Sequence, residues 1–392
     1  MRIKGLDKIA FLVLFLSVGI LFSSHHSAVA GTLKIGIIAP LSGPGAPWGK
    51  SWPEGLELAI DDLEKAGDLK IKGEKYDVKV IPYDDKYAGA EGVKAANRLI
   101  SVDRVKIIFG STSSAVVMAV SPITEQAKVL VLANSYSKRA LNAQTQYLFR
   151  VVQTSTETAK LLIPYVVKKH KIKTVALIAP NDESGQDLSA TDYEEYRKAG
   201  VEVVYNEFYE RDQKDFYPQM TKIMSLKPDL MDTSASSPGT TGLLAKQARD
   251  LGFKGPFVTP SGLYPDPVVA VAGKSADDFY YAIQADLASK DPNMVAFMKK
   301  YKARYGKECN QWATPLYYST ALLLFDLIQK NNSADSTVLK KAFENLRKFE
   351  FLVGTMHFGG KEVYGIDHQI MGPIWICVIK NGKEEILEKI TE

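Results

Sequence analysis

The sequence predicts an α/β protein built from two Rossmann-like parallel-sheet lobes. Three observations carry that prediction. Short apolar runs alternate with helix-period segments along most of the chain, the mark of a parallel sheet covered on both faces. The alternation then restarts, so that "LKIGIIAP" (33–40) is echoed by "KTVALIAP" (173–180). No low-complexity segment or long linker separates the two halves, so the chain is expected to cross between the lobes.

The elements follow in order. "LKIGIIAP" is a first strand stopped by Pro40, and a helix over 52–65 places Leu56, Ala59, Ile60 and Leu63 on one face. Pro53 suits its first turn. Strands are expected at 76–85, 105–111 and 127–135, with a helix at 90–101. The second unit runs from the strand at 173–180 through a helix at 189–200, capped by Gly200, to strands at 201–209, 228–237 and 255–262. Helices follow at 292–306, 314–331 and 337–346, the middle one nearly all apolar and so buried. The tail reads as a strand, a turn at Asn381-Gly382 and a last strand.

The first 30 residues stand apart. Arg2, Lys4 and Lys8 precede an apolar run from Ile9 to Phe22, and Ala28-Val29-Ala30 forms a small-residue site before Gly31. This is the layout of a secretory signal peptide cleaved after Ala30. The apolar run falls short of the ~20 residues of a membrane span. No cysteine lies near the cleavage site, so a lipid anchor is not expected, and the mature protein is placed in the periplasm.

Bulk properties exclude several classes. The composition is 46% apolar and 24% charged, with a formal net charge of only +4 over 392 residues. That is ordinary globular material, and nucleic acid is not expected as a partner. Cys309 and Cys377 could pair in an exported protein or stay as two buried thiols. With His170, His357 and His368 they show no metal-ligand spacing, and neither metal nor cofactor is expected.

In open parallel sheets the ligand sits outside the carboxyl ends of the strands. Here those ends read "APLSGPGAPWGKS", "STSSA", "ANSYS", "APNDESG", "SASSPG" and "TPSGLY". Hydroxyl, amide and glycine residues dominate five of the six, offering hydroxyl donors and free N–H groups that suit an anion. A phosphate loop does not fit, because Pro44 occupies the first glycine position of "PGAPWGKS". A nucleophilic serine does not fit either. No G-x-S-x-G elbow occurs, and no histidine falls in these loops. Asp84-Asp85 at a strand end reads as a capping, solvated pair. What the loops describe is a hydroxyl-lined cleft for a small polar or anionic solute.

Together "KIGIIAPLSGPGAPWGKSWPEGLELAIDDLEKAG", "YDD", "IIFGSTSS", "VLVLANSYS", "LLAKQARDLGF" and "TPSG" resemble the Leu/Ile/Val-binding family, the type I periplasmic solute-binding proteins of ABC transporters. The resemblance covers nearly all of the mature chain. It implies two lobes joined by a three-crossover hinge, with 31–152 and 283–354 in one lobe and 153–282 and 355–392 in the other. It also implies a monomeric, non-enzymatic receptor that clasps a small carboxylate solute of the branched-chain amino acid type and delivers it to a membrane ABC permease. Carboxylate recognition falls on Ser113 and Ser114 after the third strand and on Ser135 and Ser137 after the fourth. Trp48 takes the place of the covering aromatic, Ser184 the matching place in the second lobe, and Ser236 lies in that lobe's "SASSPG" loop.

One position departs from the family. Where members that bind α-amino acids carry an acid for the ligand's ammonium, this sequence has Ser261. A buried ammonium without a carboxylate is costly. Either Asp182, Glu183 or Asp232 substitutes, or the ligand is an aromatic or aliphatic acid without an amine. Asp232 interrupts an apolar strand and is otherwise expected to be edge-facing and solvated. A sensory module on the same fold, docking to a receptor, is the reading from another class.

Overall fold

The computed structural model describes residues 29–43 and 45–391. The expected signal peptide lies outside these residues except for Val29 and Ala30. Among the described residues no helix is long and apolar enough to cross a membrane.

The first sheet begins with β1 (Gly31–Ala39), β2 (Leu69–Ile71), β3 (Glu74–Asp84), β4 (Ile107–Gly110), β5 (Leu130–Ala133) and β6 (Leu148–Arg150). β1 lies parallel between β3 and β4, and β5 and β6 follow outward. Every residue of β4 and β5 is buried, because helices cover both faces. The connecting helices are α1 (Ala46–Gly49), α2 (Ser51–Lys65), α3 (Gly89–Ser101) and α4 (Ser114–Gln126).

The second sheet repeats this order with β7 (Thr174–Pro180), β8 (Glu202–Tyr209), β9 (Leu230–Asp232), β10 (Phe257–Thr259) and β11 (Phe279–Ile283). β7 takes the place of β1, parallel to both β8 and β9. Its helices are α5 (Ser155–His170), α6 (Glu183–Lys198), α7 (Tyr217–Leu226), α8 (Pro238–Asp250) and α9 (Pro265–Ala272). α6 begins six residues before the expected start at 189. Asp182 caps it by accepting from the Gly185 N–H, so the polar "ESGQDLS" that reads as loop is helix.

In the last third, α10 (Pro292–Tyr305), α11 (Thr314–Asn331) and α12 (Ser336–Glu344) return to the first lobe. Trp52 of α2 stacks on Tyr317 of α11 at 3.7 Å between ring centroids. β12 (Phe349–Phe351), β13 (Gly354–Gly359) and β14 (Gln369–Met371) extend the first sheet, with α13 (Lys361–Tyr364) between the last two. β15 (Ile374–Lys380) and β16 (Lys383–Ile390) close the second sheet.

This corrects the expected boundary at 354/355, since residues 355–371 belong to the first lobe. β14 pairs parallel with β6 through Gln369 and Arg150, which holds the chain in the first sheet until Gly372. Cys309 and Cys377 are both buried and unpaired with each other.

Three segments therefore cross between the lobes: after β6, after β11 and after β14. Buried glutamines bind them to one another. The Gln153 N–H donates to Gln284 Oε1 at 2.7 Å, and Gln284 Nε2 returns a bond to the Gln153 carbonyl at 2.9 Å. Gln153 Nε2 reaches the Gly372 carbonyl at 3.1 Å, and Gln369 Nε2 reaches that of Val152 at 2.8 Å.

The sequence echo has a packing reason. Each first strand ends in Ala-Pro, and a glycine on the next helix lies against that proline's carbonyl. A Cβ on Gly49 would sit 2.1 Å from the Pro40 oxygen, and one on Gly185 would sit 1.9 Å from the Pro180 oxygen. We expect Gly185→Ala to cost about 1–3 kcal/mol in urea denaturation through overpacking. Gly239→Ala, where a Cβ meets nothing within 4 Å, is the control and is neutral or stabilising.

The Asp84-Asp85 pair at the end of β3 is not uniformly solvated. Partial burial pulls Asp84 up, but bonds from the Ser42 hydroxyl and the N–H groups of Lys86 and Leu41 outweigh it and hold the carboxyl below its ordinary value. Asp85 is fully buried, accepts from Ser111 Oγ at 2.6 Å, and is pushed up to about 6 by that burial. The fold thus favours its acid form. That contribution is whole below about pH 4, where the unfolded chain is protonated too, and is lost as pH rises through about 6. Asp85→Asn removes this dependence. Denaturation at pH 4 and pH 8 is expected to show no gain at the lower pH and about 2–3 kcal/mol at the higher.

Candidate ligand-binding site

The strand order fixes where a ligand can sit. β1 and β7 each lie between neighbours whose helices depart to opposite faces, which opens a crevice at their carboxyl ends. The two crevices face each other and enclose a cavity. The first lobe lines it with Trp48, Tyr87, Thr112, Asn134, Tyr136 and Trp312. The second lobe adds Ser184 and Leu188 after β7, Ala235, Ser236 and Pro238 after β9, and Ser261 to Tyr264 after β10.

The aromatic wall is held from both sides. Trp48 stands on α1, which Gly49 lets close on Pro40, and its ring lies 5.6 Å from that of Tyr87. Lys86 and Tyr87 both adopt left-handed backbone, at φ 50 and 64, a strained pair of the kind kept at ligand sites. The Tyr87 N–H donates to Asp85 Oδ1 at 2.7 Å, which anchors the turn. From the second lobe the Arg211 guanidinium sits 4.8 Å from the Tyr87 ring. Trp312 crosses toward Tyr264, with centroids 6.1 Å apart. Burial pushes the phenols of Tyr87, Tyr136 and Tyr264 up, so this wall is uncharged.

Of the eight serine and tryptophan positions implied by the resemblance, Trp48, Ser184, Ser236 and Ser261 line the cavity. Ser113, Ser114, Ser135 and Ser137 do not; they build the wall behind it. Ser113 caps α4 by accepting from the Val116 N–H. Ser114 Oγ accepts from the N–H groups of Tyr136 at 3.0 Å and Ser137 at 2.9 Å, and from the Ser184 hydroxyl across the cleft at 3.0 Å. The Ser137 hydroxyl donates to Asp187 on the second lobe. The carbonyls of Ser135 and Ser137 accept from Nη1 of Arg150 at 3.1 and 3.0 Å. Arg150 is fully buried and packs on Tyr364 at 4.5 Å.

None of the three candidate acids lines the cavity. Asp182 caps α6 and is bonded by Nε of Arg211 at 2.6 Å. Glu183 is half-buried in the first turn of the same helix. Asp232 is neither edge-facing nor solvated. β9 lies between β7 and β10, and the carboxylate is buried, accepting from the Tyr196 hydroxyl and the Ser234 N–H, each at 2.9 Å. Burial raises both Asp232 and its neighbour Asp192, and the mutual charge lifts Asp192 further. Asp187 is engaged by Ser137 and by Nε of Arg139 at 3.0 Å. The histidines serve structure: His170 meets the Tyr280 hydroxyl, and buried His368 bonds the Leu148 carbonyl.

Sequence reasoning missed Tyr87, Thr112, Asn134, Tyr136, Tyr264 and Trp312. Thr112, Asn134 and Tyr136 lie next to positions it named, and Tyr264 lies three residues after Ser261, all in the same strand-end loops. Tyr87 follows the "YDD" it quoted. Trp312 comes from the segment before α11, and nothing in the chain's local pattern marks it.

A family profile described as "Periplasmic binding protein" matches residues 32–384. The Leu/Ile/Val-binding protein homolog 3 of Brucella melitensis is 26% identical over 359 residues, covering 91% of this chain and 93% of that one. Among solved structures, the branched-chain amino acid transporter substrate-binding protein LivJ of Streptococcus pneumoniae, in complex with isoleucine, superposes with a TM-score of 0.80 at 22% identity. It covers 92% of this chain and 100% of that one. A solute-binding protein of an ABC transporter from R. palustris, in complex with benzoate, also reaches a TM-score of 0.80, at 20% identity, with 92% and 96% covered. The profile, the relatives and the two-lobed architecture agree: the chain belongs to the type I periplasmic binding proteins of the Leu/Ile/Val-binding family.

Proposed function

We propose that this protein is the substrate-binding component of an ABC importer and clasps a small carboxylate that carries no ammonium, best matched by an aromatic acid. The observation that carries this reading is the missing counter-charge. Among the described residues no carboxylate lines the cavity, and Asp182, Asp187 and Asp232 each have partners of their own. An ammonium enclosed there would have no carboxylate counter-charge, at a cost of several kcal/mol, on the order of the penalty for burying a lone charge.

Two further features support it. The Ser135 and Ser137 carbonyls, which could otherwise face an ammonium, already accept from the Arg150 guanidinium, whose charge would repel a second cation there. That guanidinium lies directly behind the loop that carries Tyr136, and a positive charge there favours an anion. The walls supply Trp48, Tyr87, Tyr136, Tyr264 and Trp312, flat surfaces against which a ring can stack. Structural relatives have been solved with benzoate, 4-hydroxybenzoate and 3,4-dihydroxybenzoic acid.

A branched-chain amino acid is the second reading, favoured by the names of the sequence relatives. A thermal-shift screen separates the two, because a ligand held at 100 times its Kd adds about 2.7 kcal/mol to stability. Benzoate-class acids are expected to raise the Tm, with leucine, isoleucine and valine leaving it in place. The reverse pattern would overturn the aromatic-acid reading. Ser261→Glu puts a carboxylate where amino-acid binders of the family keep one. Calorimetric titration is expected to show the aromatic acid weakened at least about tenfold by like-charge repulsion, ~1.4 kcal/mol or more. Tighter binding of the native ligand would point to an amine.

A further inference from the structure

Three residues that line the cavity carry a buried polar atom with no partner among the described residues: Thr112 Oγ1, Trp312 Nε1 and Asn134 Oδ1. Each residue is only 5% exposed. Buried polar atoms are almost always bonded, so a set of three around one cavity calls for a ligand that completes them. Their chemistry differs. The indole N–H only donates, the threonine hydroxyl donates or accepts, and the amide oxygen only accepts.

Asn134 holds its amide oxygen on the cavity side. Its Nδ2 donates to the Tyr317 hydroxyl, and Tyr317 is stacked on fully buried Trp52. Its backbone N–H is fixed to the Ser111 carbonyl at 3.1 Å. A carboxylate satisfies Thr112 and Trp312, but it offers Asn134 only lone pairs. With Nδ2 engaged by Tyr317, an unsubstituted aromatic acid leaves the amide oxygen bare. We infer that the ligand bears a hydrogen-bond donor as well as its carboxylate, that this donor is a ring hydroxyl, and that Asn134 reads it. The inference rests on the aromatic-acid reading above and narrows it to hydroxylated members of that class.

The test is isothermal titration of the mature chain with benzoate, the three monohydroxybenzoates and leucine, repeated for Asn134→Leu. In the wild type at least one hydroxybenzoate binds tenfold or more tighter than benzoate. Asn134→Leu erases that advantage, bringing the hydroxybenzoate and benzoate Kd values within threefold of each other. Asn134→Ser, which leaves room for a bridging water, retains part of the preference and serves if the leucine variant fails to fold. Equal binding of benzoate and all three hydroxybenzoates would overturn this inference and leave the aromatic-acid reading standing. So would a hydroxyl preference that survives at full strength in either variant. Binding of leucine with no binding of any aromatic acid would overturn the underlying reading itself.

Discussion

Everything at the site depends on the glutamine bonds that tie the three crossing segments together. The Gln153–Gln284 pair links the first crossing to the second, and Gln153 also grips Gly372 in the third. All these groups are buried, so each bond would leave an unsatisfied amide or carbonyl if broken. The tie holds the three crossing segments to one another between the two sheets. Parallel strands aim their carboxyl ends from both lobes at one point. The cavity is a consequence of this convergence rather than of any one loop.

The electrostatics of that point follow from what has been spent elsewhere. Arg150 holds two carbonyls of the loop after β5 without an acid bonded to it, so its positive charge bears on that loop. Asp182 is neutralised by Arg211, whose other side faces Tyr87, and Asp187 by Arg139. The acidic groups of the cleft are thus used to bind lobe to lobe and helix to loop. The lining itself keeps only neutral hydroxyls, amides and rings. A site built this way discriminates by which neutral dipoles it leaves unsatisfied, and the energetic difference between a matched and an unmatched buried dipole is large.

Much of this was legible in the chain. Alternation of apolar strands and helices gave the two sheets, and the strand-end loops located the cleft, because parallel topology leaves ligands no other place. Ser261 was visible as a departure because its neighbours Thr259, Pro260 and Gly262 fix the loop. The failures have physical causes. A hydroxyl in a strand-end loop can face the ligand or serve the backbone, and the sequence looks the same in both cases. Ser113 and Ser114 took the second role, since α4 needed a cap and the loop at 136–137 needed an acceptor. Asp232 was read as edge-facing because a lone acid in a strand usually is. Its burial depends on Tyr196, 36 residues earlier, and on a neighbouring acid that no local pattern reveals. The boundary near 354 failed for the same reason: the pairing of Gln369 with Arg150 spans more than two hundred residues.

The contacts that cross the cleft away from the cavity carry a last consequence. Ser114 with Ser184, Asp187 with Ser137 and Arg139, and Arg211 with Tyr87 join lobe to lobe directly. Apart from Ser184 and Tyr87, these side chains do not line the cavity. Their free energy enters the closing equilibrium identically for every solute. Under the proposed function the protein would have two separate controls. Rim residues such as Asp187 and Arg139 would set how tightly all solutes are retained, and lining residues which solute is preferred. Evolution or design could then retune the overall strength of capture without altering the choice among solutes.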